Sequence, residues 1–182
     1  MDLDPRLIES LLRLIELKDA STAAHSWRVV LYARALAERV GVEPDAVERL
    51  TRAAALHDLG KIDVPEDILR KPGPLTAPER AIMQTHALAG YQRLRDMQVT
   101  CRVALDLVRH HHERWDGSGY PDRLAGEAIA IPARVFGVID TFDAMTSVRP
   151  YRAALGDDAV RRALGELHAG RGTAYWPQAV DL

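Results

Sequence analysis

Leu56-His57-Asp58-Leu59-Gly60-Lys61 follows Val47-Glu48-Arg49-Leu50-Thr51-Arg52-Ala53-Ala54-Ala55, a run of helical character that brings His57 and Asp58 to its C-terminal end. Neighbours along a helix do not face each other, yet both side chains can lean toward one point beyond its surface. An imidazole beside a carboxylate offers donors for one metal ion, or for two ions that share the carboxylate. Gly60 reads as a helix stop, and Lys61 sets a cation where a phosphate oxygen can sit. A His-Asp dipeptide by itself carries little weight. Its meaning depends on other His and Asp residues having somewhere to converge.

Outward from this stretch the chain reads helix after helix. Residues 5 to 18 carry Leu7, Ile8, Leu11, Leu12 and Ile15 at helical spacing. Asp19-Ala20-Ser21-Thr22 offers capping side chains before a second helix through Val40. Gly41 ends it, and Pro44 opens the helix that delivers His57-Asp58. Prolines 65, 72 and 74 force a loop around one short helical piece, Glu66 to Arg70. Thr76-Ala77-Pro78-Glu79 has capping-box spacing and predicts a long helix to about Arg95. Another helix is expected from Val99 to His112, then a turn cluster at 116–121 and loop to Pro132. Val135 to Ser147 and Asp157 to Ala169 complete the set. No alternating stretch is long enough for a sheet, so the expected class is all-α.

Composition bounds the function. A chain of 182 residues with 47% hydrophobic residues is expected to fold as one globular domain, 1–182, with no sensory domain attached. A net charge of −2 gives no electrostatic reason for a nucleic-acid polymer or a membrane surface as main partner. The one cysteine, Cys101, excludes an internal disulfide and fits a reducing compartment, and no apolar run is long enough to span a bilayer. The expected location is cytoplasmic.

Six histidines and several aspartates fall on different helices. His25 lies early in the second, His57 and Asp58 end the third, and His86 sits inside the long fifth. His110, His111 and His112 close the sixth, while Asp140 and Asp143 lie three apart on the seventh. Three consecutive helical positions fan over about 200°, so the three cannot all serve one site. His168, alone near the C-terminus, reads as an ordinary surface or core histidine. N and O donors without a cysteine point to iron, manganese or a similar divalent ion in a site open to substrate, not to a closed structural zinc.

The longer pattern is specific. His57-Asp58-Leu59-Gly60-Lys61-Ile62, Lys71-Pro72-Gly73-Pro74-Leu75-Thr76, His86 with Gly90-Tyr91, and His111-His112-Glu113-Arg114-Trp115-Asp116-Gly117-Ser118-Gly119-Tyr120-Pro121 occur in this order. With Ile139-Asp140-Thr141-Phe142-Asp143-Ala144-Met145-Thr146 and Arg149-Pro150-Tyr151-Arg152, they resemble the HD-GYP domain. That family comprises bacterial cyclic di-GMP phosphodiesterases within the HD metal-dependent phosphohydrolases. The resemblance runs from about Leu17 to Trp176 and implies an HD-domain helical bundle with its metal site between helices.

The resemblance also assigns residues. His25, His57, Asp58, His86, His111, His112 and Asp140 match the family's metal ligands, with Asp58 the bridging carboxylate. His110 falls outside the pattern. Lys61, Arg149 and Arg152 match phosphate-binding positions, Gly119, Tyr120 and Pro121 border the substrate groove, and Asp143 is a candidate substrate contact or proton donor, or else a carboxylate that supports a ligand or faces solvent. The implied reaction is hydrolysis of cyclic di-GMP to linear pGpG and/or GMP by a hydroxide bridging two ions, with Asp58 and Lys61 catalytic. Possible partners are a diguanylate cyclase, a sensory protein, or a second copy of the chain as a homodimer.

The resemblance has departures. Asp63 stands where a glycine is common after the Lys-Ile pair, and Asp tolerates left-handed backbone. Ser21 stands four residues before His25, where some relatives carry a Glu that supports a third metal, so two ions are expected. Asp19, if helical, would point away from that face. Two other readings compete with hydrolysis. One is a non-catalytic cyclic di-GMP receptor or partner-binding module with a retained metal site, which the complete ligand set argues against. The other is a di-iron oxygenase, which Lys61, Arg149 and Arg152 argue against.

Overall fold

A computed structural model describes residues 3–147 and 158–182, without the side chains of 20–23. Among the described residues the chain is helical: α1 (Pro5–Lys18), α2 (Ala20–Val40), α3 (Pro44–Ala54), α4 (Glu66–Leu69), α5 (Ala77–Asp96), α6 (Arg102–His110), α7 (Ile131–Thr146), α8 (Asp158–Ala169) and α9 (Pro177–Val180). Two 3-10 turns, Leu59–Asp63 and Gly126–Ala128, interrupt the connections. The one bridge between extended residues, Arg171 to Tyr175, makes no strand, so the all-α expectation holds. No helix among the described residues is long and apolar enough to cross a membrane.

The local signals act where the sequence places them. Asp4 caps α1 by accepting from the Arg6 amide at 2.7 Å, with Pro5 at the first helical position. Gly41, at φ +83°, ends α2 in a conformation that side chains with a Cβ avoid. Thr76 and Glu79 form the reciprocal capping box of α5. The core is lined by small side chains where helices approach closely: Val29, Ala33 and Ala37 of α2 and Ala53 and Ala54 of α3 are fully buried. Leu50, Leu56, Leu59, Leu94, Leu107 and Phe136 fill the space between them.

Three boundaries differ from expectation. Gly60 does not stop a helix; it lies within the 3-10 turn and packs directly on α5. A Cβ there would overlap the His86 carbonyl oxygen and the Gly90 amide, and one on Gly90 would reach the Gly60 nitrogen at 3.0 Å. The two glycines let the His-Asp turn lie against the helix that carries His86. The sixth helix ends at His110, leaving His111 and His112 in the following turn. The seventh begins at Ile131 with Pro132 in its first turn, where a missing N–H costs nothing.

Candidate metal centre

Five segments meet at one place. His25 comes from α2, His57 and Asp58 from the turn after α3, His86 from α5, His111 and His112 from the turn after α6, and Asp140 from α7. His25, His57, Asp58, His86 and His111 are all buried. Their donor atoms fall into two triads, His25–His57–Asp58 and His86–His111–His112, each with its atoms within 4.8 Å of one another.

Three of these imidazoles are aimed by their own turns. Nδ1 of His57, His86 and His111 donates to the carbonyls of Ala54, Met83 and Val108, at 2.9, 2.7 and 3.0 Å. A carbonyl only accepts, so the proton sits on Nδ1 and each Nε2 presents a lone pair to the centre. Nε2 of His86 lies 3.2 Å from Nε2 of His111. Two lone pairs cannot bond to each other, so a cation shared between them is what the arrangement accommodates. Burial, above all, holds His86 and His111 below the ordinary imidazole range and lowers His112 to about 3, which keeps these rings neutral and able to donate.

The other triad is anionic. Nδ1 of His25 donates to Asp143 at 2.7 Å, and its Nε2 lies 3.1 Å from Nε2 of His57 and 3.2 Å from Asp140. Burial opposes a charge on His25, but the bonds to Asp140 and Asp143 outweigh it and raise its pKa to about 9. Asp58 joins the halves: Oδ2 is 3.1 Å from His57 and 2.6 Å from the Lys61 ammonium, while Oδ1 is 3.5 Å from His86. Burial would raise its pKa, yet His57 and Lys61 hold it well below the carboxylate range. Imidazoles and carboxylates without thiolate form a donor set that fits divalent ions.

A cavity of about 360 Å³ opens over both triads. Lys61, Lys71, Arg28 and Asp19 contribute charge to its wall, Ile68, Leu69, Leu75 and Met83 apolar surface, and Tyr120 an aromatic edge. Tyr120 stacks on His112 at 4.8 Å between centroids, and its amide donates to the His112 carbonyl. Gly119 lies so close to the backbone of 112–114 that no side chain fits. Pro121, with Gly119 and Tyr120, lines a second cleft, of about 540 Å³, that shares Tyr120 with the first.

Several expectations change in this light. Asp143 does not face the cavity as a substrate contact: its side chain is 1% exposed and is saturated by His25 and by Arg28. Burial would raise its pKa, but its bonds to His25 and Arg28 hold it near 2. Asp19 is not helical; at φ −154° and ψ 104° it breaks the chain between α1 and α2 and borders the cavity, so the angular argument against it fails. His110 does point away, to Asp122 at 2.8 Å. Arg149 and Arg152, and the side chain of Ser21, lie outside the described residues.

Sequence reasoning missed Arg28, Glu113 and Asp122. The Glu113 carboxylate accepts the Asp122 and Leu124 amides at 2.7 and 3.1 Å, and Arg109 with His110 grips Asp122, fixing the loop that holds Tyr120. Glu113 stood in the quoted motif without a role, and no spacing signal tied Arg28 to a partner 115 residues away.

The HD domain model matches residues 9–179. The chain is 44% identical to the cyclic di-GMP phosphodiesterase response regulator RpfG of Xanthomonas campestris, across 96% of this chain and 46% of that protein. It is 39% identical to the 3′3′-cGAMP-specific phosphodiesterase 2 of Vibrio cholerae, across 97% of this chain and 33% of that protein. The chain thus spans between a third and a half of the length of these curated relatives. The HD domain of the L. monocytogenes phosphodiesterase PgpH, solved in complex with cyclic-di-AMP, shares the fold at a TM-score of 0.67 and 18% identity, covering 94% of this chain and 91% of that one. With the family model over nearly the whole chain and both triads built from its motif, the chain belongs to the HD domain family, in its HD-GYP branch.

Proposed function

We propose that this domain is a metal-dependent phosphodiesterase that hydrolyses cyclic di-GMP to linear pGpG and/or GMP. The observation that carries the reading is Asp58 reaching both triads with its two oxygens while Lys61 lies beside it at the cavity floor. His25, His57 and Asp58 would hold one divalent ion and His86, His111 and His112 a second, with Asp58 between them and Asp140 beside His25. Iron or manganese suits these donors. Bound there, such ions supply Lewis-acid activation of water and of the phosphodiester.

The chain's own residues do the rest. Lys61 adds a point charge against a phosphate oxygen as negative charge develops. The Tyr120 ring, with Ile68, Leu69 and Leu75, gives apolar and flat surface against which a base can rest. The anchored loop around Glu113 keeps that ring in place.

The test is reconstitution. Chelator-stripped protein reloaded with Mn(II) or Fe(II) under reducing conditions is incubated with cyclic di-GMP and, in parallel, with 3′3′-cGAMP, and products are separated by chromatography. Linear product from cyclic di-GMP, absent without metal, is the expected result. Faster turnover of 3′3′-cGAMP would reassign the substrate, in keeping with the Vibrio relative. Tight binding of the nucleotide with no product would favour a receptor.

A further inference from the structure

His25 is held differently from the other buried ligands. His57, His86 and His111 each give Nδ1–H to a backbone carbonyl three residues back, which the helix itself positions. His25 gives its Nδ1–H to a side chain from another helix, Asp143 of α7, at 2.7 Å. A carboxylate can rotate, so its plane must be fixed if the ring is to be fixed. Arg28 supplies that. It lies one turn after His25 on α2 and donates Nε to Oδ1 at 2.7 Å and Nη2 to Oδ2 at 2.9 Å of the same carboxylate. This two-pronged pair is the geometry that sets both position and plane. The chain of contacts closes on itself, from His25 to Asp143 to Arg28 and back along one turn of α2.

We infer that Arg28 is a positioning residue for metal binding, acting through Asp143 to aim Nε2 of His25 into the first triad. This rests on the metal-site reading above. With Arg28 removed, Asp143 stays buried with one partner and is free to turn, and His25 turns with it. His86, His111 and His112 have no contact with this chain of bonds, so the loss is confined to one half of the centre. Arg28 also borders the cavity, which sets up a second role, direct contact with a substrate phosphate, that the experiment separates from the first.

The experiment is Mn(II) titration of the chelator-stripped chain by calorimetry, with Mn(II) electron paramagnetic resonance reporting the two sites. Arg28→Ala is expected to weaken one equivalent by about 10- to 100-fold, the range for loss of an outer partner of a ligand, and to leave the other within about twofold. Arg28→Lys keeps the charge without the fork and should recover only part of the loss. Because the two residues act as one unit, Arg28→Ala with Asp143→Asn should bind no more weakly than Asp143→Asn alone. Arg28 is 38% exposed at its side chain, so its truncation leaves the core packing in place; Arg28→Gln serves if the alanine variant does not fold. Unchanged Mn(II) affinity in Arg28→Ala overturns the inference, and if KM for cyclic di-GMP rises at the same time, Arg28 is a substrate contact. Absence of Mn(II) binding by the unsubstituted chain would instead remove the metal-site reading beneath it.

Discussion

The two halves of the centre solve the same problem by opposite means. The His86–His111–His112 triad is three imidazoles held below their ordinary pKa by burial, with Nδ1 of two of them locked to backbone carbonyls. Burial favours the neutral form of all three rings. The His25–His57–Asp58 triad is crowded with carboxylates, each with a basic partner: Lys61 beside Asp58, His25 beside Asp140, and His25 with Arg28 on Asp143. One half has two of its rings aimed by backbone carbonyls of their own segments; in the other His57 is aimed in the same way, while His25 is aimed by Asp143, which is gripped by Arg28. The difference teaches that a histidine whose Nδ1 meets a carbonyl three residues back needs no partner from elsewhere in the chain, whereas His25, which lacks one, needs a carboxylate from another helix.

The strongest way to break the comparison is Asp58→Ala, which removes the group shared by both halves. Mn(II) uptake should fall at both sites, and hydrolysis of cyclic di-GMP should drop on the order of a thousand-fold, the scale of losing metal-activated water. Retention of one full-affinity site would show that the halves are independent.

His112→Ala should cost about 10- to 100-fold in affinity at one equivalent and little at the other, whereas His110→Ala, whose ring is tied to Asp122, should bind Mn(II) as the unsubstituted chain does. Equal losses in both variants, read by the same titration, would place the register one residue off.

Lys61→Ala separates charge balance from chemistry. The Lys61 ammonium and an ion compete for Asp58, so metal content by elemental analysis should be equal or higher, while kcat falls about ten- to a hundred-fold through lost phosphate contact. Loss of metal in this variant would make Lys61 a support of the site.

The smallest effect tests the helix that carries His86. Thr76→Ala removes the cap of α5 and should cost about 1 kcal/mol, lowering Tm by about 3 °C. Lys71 and the Thr76 amide hold Glu79 at about 2, below its ordinary 4.5. A depressed carboxyl stabilises the fold fully above about 4.5, and that contribution is lost as pH falls toward 2. Glu79→Gln should therefore flatten this part of the acid limb of the melting curve without changing stability differences among higher pH values.

Much of this was legible in the residues. Gly41, Pro44 and the Thr76–Glu79 box mark helix ends because their conformational or hydrogen-bonding preferences act within a few positions. The ordered His and Asp motifs pick out the groups that gather in the two triads, since few other arrangements bring so many donors to helix ends. Distant pairings were not legible. Gly60 reads as a helix stop until α5 is seen resting on it; Asp143 stays open between a substrate group and a carboxylate supporting a ligand until His25 and Arg28 close around it. Asp19 reads as turned away only while the helix is assumed to continue through it. The sequence by itself determined the helices, their caps and the chemical identity of the ligands, because those depend on local backbone preference and donor type. Tertiary structure alone decided which oxygen of Asp58 lies toward which triad, that Arg28 grips Asp143, and that carboxylates crowd one half and not the other, because those follow from side chains on different segments meeting in a water-poor interior where every polar group must find a partner.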